Sequence, residues 1–252
     1  MTTPYTITRV GDAYLVSTRD VNWVLVEDGH DLTLIDGGYP GNTVDVERSI
    51  RDIGHQVRDI RGILLTHAHV DHLGGAARIA SRHSIDTWTG PVEVPHARRD
   101  YLQQLSPARL PLVLWRRGAL GWLLDITRLG GTDRGGIDQV GAYDASRLDL
   151  PGSPVAVPTP GHTDGHTSYL IPGSGVLVSG DALITGHPVS RLRGPQLIVR
   201  PFSHDRDATV DSLDAIASVD AGTLFPGHGA VWAGSMRDAA GQARATAGPW
   251  RP

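Results

Sequence analysis

Cysteine is absent from the 252 residues and so is lysine, all 23 basic side chains being arginine. Without thiols there is no disulfide and no thiolate ligand, so any bound metal must rest on imidazole and carboxylate. Without lysine, Schiff-base chemistry is excluded. The basic residues face 27 acidic ones for a net charge of −4, which gives no overall pull towards nucleic acid. No run of about 18 apolar residues occurs, so no membrane-spanning helix is expected. The start, Met1-Thr2-Thr3-Pro4-Tyr5, has neither a basic cluster nor an apolar core and does not read as an export signal. The expectation is a soluble, cytoplasmic chain of one α/β domain, residues 1–252, or one domain carrying a sizeable insertion.

What the chain does have is histidine in a pattern. Thr66-His67-Ala68-His69-Val70-Asp71-His72-Leu73-Gly74-Gly75 follows the apolar run Ile63-Leu64-Leu65, which reads as a buried strand, and precedes a helix containing Ala76, Ala77, Ile79 and Ala80. The polar residues therefore sit at the C-terminal end of a strand, where open α/β sheets place their ligands. His67 and His69 are two apart, so on extended backbone both imidazoles project the same way. Asp71 and His72 follow after the chain turns. Imidazoles packed this closely would repel if protonated, and a divalent cation removes that conflict. Four residues cannot fill two coordination spheres, but three further strand ends supply more. Thr159-Pro160-Gly161-His162-Thr163-Asp164-Gly165-His166 follows Val155-Ala156-Val157, Ser179-Gly180-Asp181 follows Val176-Leu177-Val178, and Phe225-Pro226-Gly227-His228-Gly229 follows Thr223-Leu224. Each motif is weak alone; four in this order are a strong signal.

With these motifs and the early Leu34-Ile35-Asp36-Gly37-Gly38 strand end, nearly the whole chain resembles the metallo-β-lactamase superfamily of hydrolases. The resemblance implies a four-layer αββα sandwich. It implies that His67, His69 and His162 hold one metal, that Asp71, His72 and His228 hold a second, and that Asp181 bridges the two. Asp36, a turn former by type, would by the same resemblance orient a metal-binding histidine. Zinc suits the donor set best, with iron or manganese also compatible. Two such ions roughly 3.5–4 Å apart can share a water and bring its pKa towards ~7. The resulting hydroxide would attack the carbonyl of an ester, lactone or thioester. Asp181 would set the metal separation, and Asp71 would orient the nucleophile or pass a proton to the leaving group. His166 is a candidate to hold the 162 loop, and His187 and His204 are candidates to line the cleft. His30, His55, His83 and His96 are read as ordinary.

Before and between the motifs, strands are expected at Tyr5–Val10, Ala13–Ser17, Asn22–Glu27, Leu32–Ile35 and Ile85–Thr89. A helix capped by Asn42 should run to Ile53, with Val46 and Ile50 on its buried face. Residues 91–150 carry no ligand motif and are expected to form a mostly helical insertion. Within it, 110–126 reads as a helix whose apolar face holds Leu112, Trp115, Ala119, Trp122 and Ile126, suited to core packing, to a lid, or to pairing two copies as a homodimer. Tyr169–Ile171 and Gly175–Ser179 should form a hairpin. Residues 182–203 read as a cleft-framing loop, followed by helices from Asp205 or Asp207 to Val219 and from Gly234 to Ala247.

Particular branches of the family fit unequally. True metallo-β-lactamases generally replace the bridging aspartate by cysteine or serine, so β-lactam hydrolysis is the weaker alternative. The chain ends soon after the His228 loop, without the glutathione-holding domain of glyoxalase II. Acyl-homoserine lactonases carry tyrosine where this chain has Ile184, and the flavodiiron pattern has Glu at His69. The expected activity is hydrolysis of a small, partly apolar ester, lactone or thioester. The alternative from another class is a mononuclear-iron persulfide dioxygenase.

Overall fold

The structure is a computed structural model, and it describes residues 4–105 and 109–247. Two mixed sheets stack face to face, each covered outside by helices. The first sheet runs in chain order: β1 (Thr6–Val10), β2 (Ala13–Ser17), β3 (Asn22–Asp28), β4 (Asp31–Ile35), β5 (Ile60–Leu64), β6 (Thr87–Thr89) and β7 (Val140–Ala142). Its first four strands form an antiparallel meander, after which β4 to β7 pair in parallel. The second sheet has the order β12 (Trp232–Ala233), β11 (Thr223–Pro226), β10 (Val176–Gly180), β9 (Thr167–Ile171), β8 (Val155–Pro158), with β10 and β11 parallel.

The period-2 alternation of strand side chains decides the layers. Ala13, Leu15, Val24, Val26, Ile35 and Leu64 point inward and meet Tyr169, Ile171, Val176, Val178 and Phe225 of the other sheet. Their neighbours Tyr14, Val16, Trp23, Leu25, Leu32 and Leu34 point the opposite way, onto α1 (Thr43–Asp52) and α2 (Val70–His83). Leu177 and Leu224 likewise face α6 (Arg206–Ala217) and α7 (Met236–Thr246). The expected αββα sandwich is therefore present. Asp205 caps α6 by accepting the Asp207 and Ala208 N–H groups, and Ser235 caps α7 through the Asp238 N–H.

The 91–150 segment departs from expectation. It contributes strand β7 to the first sheet and only short helices, α3 (Val94–Arg98), α4 (Pro111–Leu114) and α5 (Ala119–Arg128). The single helix expected over 110–126 is broken after α4, where Gly118 adopts φ +85°. The break also divides the expected apolar face: Ala119 and Trp122 are buried, whereas Trp115 is 73% exposed. A second difference lies at the main motif. Helix α2 starts at Val70, so Asp71 and His72 belong to its first turn rather than to a turn preceding it.

Candidate metal centre

All four histidine- and aspartate-bearing loops leave the C-terminal ends of strands at the same edge of the sandwich. The loop after β5 carries His67 and His69, the loop after β8 carries His162, Asp181 directly follows β10, and His228 follows β11. Together with Asp71 and His72 on α2, these seven residues come together as three overlapping groups: His67, His69 and His162; His67, His72 and Asp181; Asp71, His72 and His228. Within each group one ligand atom per residue lies within 4.8 Å of the others.

Small residues make this convergence possible. Gly75 in the middle of α2 sits against the Gly37 carbonyl, too close for any side chain, and its N–H donates to Gly38 O at 2.8 Å. The same approach lets the Gly37 N–H donate to His72 O at 2.8 Å. That brings Asp36, at φ +60°, under the motif. Its carboxylate accepts from Thr66 N–H (2.9 Å), Thr66 Oγ1 (2.8 Å) and His72 Nδ1 (2.8 Å). Asp36 thus orients a histidine of the cluster, the role the resemblance implied. Gly227 serves the same end on the opposite side, where a Cβ would meet the Asp181 carboxylate and lie 2.9 Å from His72 Cε1.

The hydrogen bonds also fix tautomers. The Thr66 hydroxyl donates to Asp36, so it accepts from His67 Nδ1 at 3.0 Å, and the His67 Nε2 lone pair faces inward. His69 Nε2 donates to the Gln103 carbonyl, which leaves Nδ1 as its inward lone pair. These two nitrogens lie 3.2 and 2.9 Å from His162 Nε2, and at most one of the three can carry a proton there. In the other half, His72 Nδ1 donates to Asp36 and His228 Nδ1 donates to the Asp20 carbonyl at 2.6 Å. Both Nε2 atoms then face carboxylates: His72 Nε2 is 3.4 Å from Asp181 Oδ1, and neither atom has a hydrogen-bond partner among the described residues. His228 Nε2 is 3.2 Å from Asp181 Oδ2 and 3.4 Å from Asp71 Oδ2. Lone pairs aimed at lone pairs across buried distances of 3 Å are unfavourable unless a cation lies among them. The donor set fits divalent metal ions.

The titration behaviour has the same origin. Burial, followed by the neighbouring histidines, holds His67 and His162 well below the usual imidazole range. Burial lowers His69 to about 4. Burial opposes charge at His228 too, but Asp181 and Asp71 outweigh it and raise it to about 10. Asp36 and Asp181 likewise overcome burial at His72 and raise it well above its ordinary value. In the absence of cations the second half of the site holds protons in their place.

His166 and His187 flank the cluster. His166 Nε2 accepts the Asp181 N–H at 3.1 Å, and its Nδ1 pairs with Thr159 Oγ1 at 2.9 Å, so it sets the position of Asp181. His187 is buried beside His228, Trp122 and Phe202 on the cleft wall. His204 does not reach the cleft; it lies half exposed, 3.7 Å from Asp164. His96, read from the sequence as ordinary, is buried and donates through Nδ1 to Glu93 Oε1 at 2.8 Å. Glu93 itself carried no motif signal, yet its buried carboxylate accepts from Ala68 N–H (2.8 Å), Thr163 Oγ1 (2.8 Å) and Gly165 N–H (3.1 Å). One side chain therefore clamps the His67–His69 loop to the His162 loop. The nearest available signal was a lone acidic residue followed three positions later by histidine.

The centre opens into a cleft of about 420 Å³. His69, Asp71, His162, Asp181 and His228 are at its base, and Leu105, Leu110, Trp122, Leu123, Ile126 and Phe202 form an apolar wall. Thr132, Asp133 and Arg134 give its polar side.

The metallo-beta-lactamase superfamily model matches residues 16–228, and the chain belongs to that superfamily. Among curated proteins it is 30% identical over 219 residues to "Uncharacterized protein YobT" of Bacillus subtilis (strain 168), covering 83% of each chain. It is 26% identical to "Probable metallo-hydrolase YflN" of the same organism, covering 81% of this chain and 78% of that one. Among solved structures, a metallo-beta-lactamase family protein from Thermus thermophilus superposes with a TM-score of 0.66 at 21% identity, covering 93% of this chain and 79% of the other. That likeness carries the fold.

Proposed function

We propose that the chain is a metal-dependent hydrolase that holds two divalent cations, zinc in the first instance, and cleaves an ester, lactone or thioester bond of a small, partly apolar substrate. The observation that supports this most is the inward-facing set of imidazole nitrogens and carboxylate oxygens, packed 2.9–3.4 Å apart, a donor set suited to divalent cations. His67, His69 and His162 would hold one ion, and Asp71, His72 and His228 the other. Asp181 reaches both sets, with Oδ2 3.4 Å from His162 Nε2 and 3.2 Å from His228 Nε2, and Oδ1 towards His72. When bound, such a pair supplies Lewis acidity and an activated water near neutral pH.

The chain's own groups do the rest. Asp71 is the more exposed of the two cluster carboxylates lining the cleft, placed to take a proton from the nucleophile and return it to the leaving group. His187 is neutral, burial lowering it to about 3. Its Nδ1 accepts the Val189 N–H at 3.2 Å, so its proton sits on Nε2, a hydrogen-bond donor on the cleft wall. The apolar wall around Trp122 and Phe202 excludes water and receives the apolar part of the substrate.

The test is metal quantification on the same purified sample that is screened against lactones, thioesters and aryl esters, with oxygen uptake recorded. Two divalent ions per chain and hydrolysis without oxygen consumption are expected. One iron per chain with oxygen uptake on a persulfide would replace this reading by the dioxygenase.

A further inference from the structure

A second groove, of about 500 Å³, adjoins the cleft, and Ile198 lines both. None of the seven cluster residues lines it, so it is separate from the candidate metal centre. Five arginines line it. Arg116 and Arg117 come from the break between α4 and α5, Arg191 and Arg200 from the loop before α6, and Arg206 from the first turn of α6. A single carboxylate, Asp207, shares the lining. None of the five arginines makes an ion pair among the described residues, in contrast to Arg9 with Glu27, Arg61 with Asp31 and Arg244 with Asp214.

Two of the five make contacts but have no carboxylate partner among the described residues, the Arg116 guanidinium lying over the Trp115 ring at 5.4 Å. Arg116 Nε is buried without a hydrogen-bond partner, while Nη1 reaches the Val189 carbonyl at 3.5 Å. Arg206 Nη1 donates to the Ile198 carbonyl at 2.8 Å. Its pKa is lowered, first by burial and then by the like charge of Arg200. Gathering cations this way is unfavourable in the free protein and is relieved by an anion. A monocarboxylate would answer one charge. A phosphate ester or diphosphate brings two or more charges and several acceptor oxygens, which suit planar guanidinium forks. Trp115, 73% exposed, and Leu192, 46% exposed, offer apolar surface beside the charges for an organic group.

We propose that this groove binds a phosphate-bearing small molecule, carrying at least a diphosphate's charge, next to the candidate active site. The test is calorimetric titration of the full, metal-loaded chain with inorganic pyrophosphate and with ADP at low salt, alongside co-sedimentation with phosphatidylglycerol and phosphatidylcholine vesicles. Saturable binding that weakens with added salt is expected. It should fall at least ~10-fold in Arg200→Glu, an exposed position, and in Arg206→Gln, and stay unchanged in Arg147→Glu, outside the groove. Absence of binding of both ligands overturns the proposal. So does binding that survives both groove substitutions, because the anion then sits on the metals. Pelleting with the anionic vesicles while neither small ligand binds also overturns it, in favour of a lipid surface.

Discussion

Removing the Glu93 carboxylate should damage both the fold and the candidate metal centre, although Glu93 touches no cluster side chain among its hydrogen-bond partners. Glu93→Ala leaves the Ala68 and Gly165 N–H groups buried with no acceptor, while the Thr163 hydroxyl and the His96 ring can reorient. Each orphaned N–H costs about 1–3 kcal/mol, so the expected loss is about 2–6 kcal/mol. For a chain of this size that is about 4–24 °C in Tm, at ~2–4 °C per kcal/mol. Ala68 lies between His67 and His69, and its carbonyl is held from the other side by Arg99 Nη1 at 2.7 Å. Freeing its N–H therefore loosens two candidate ligands at once, and metal affinity should drop by about 10- to 100-fold. Glu93→Gln, which keeps the shape but points an amide N–H₂ at two donors, should fall between wild type and alanine. Thermal unfolding and metal titration of the three proteins read out both effects. A Glu93→Ala protein with wild-type Tm and wild-type metal retention would refute the clamp.

His69→Ala and Asp181→Asn should each lower turnover of the best substrate from the ester and lactone panel by at least ~100-fold with the circular dichroism spectrum retained, and full activity in either would remove the site assignment. Gly227→Ala should reduce metal content without unfolding the sandwich, because its methyl group would displace the Asp181 carboxylate; metal analysis after gel filtration checks this. Burial would raise the Glu93 carboxyl, but His96, the Ala68 N–H and the Thr163 hydroxyl outweigh it and hold it below its ordinary value. Its contribution to stability is therefore complete above the unfolded value of 4.5 and lost as pH falls through the folded one, so acid unfolding should be steeper in wild type than in Glu93→Gln. His228 has the opposite sign. In chelated protein its contribution is complete below 6.5 and lost as pH rises through about 10. Metal binding should release protons from His72 and His228, seen as a buffer-dependent heat in calorimetry.

The sequence by itself determined which residues could form the centre. The candidate ligands lie in short motifs at strand ends, and glycine turns and helix caps are local properties that survive without tertiary information. The αββα layering was expected only through the family resemblance, because β2, β3 and β10 are apolar on both faces and their sequence alone does not sort inner from outer side chains. Only the tertiary structure decided how the centre is held. Glu93 meets Ala68 across 25 residues of chain and Gly165 across 72, and an acceptor whose donors lie so far apart leaves no spacing to read. The 110–126 segment shows the same limit from the other side. Its apolar steps of three and four fit one continuous helix, but Gly118 in the left-handed region splits it and leaves Trp115 exposed beside the arginine groove. Periodicity records which positions are apolar; what they pack against depends on segments that only folding brings near.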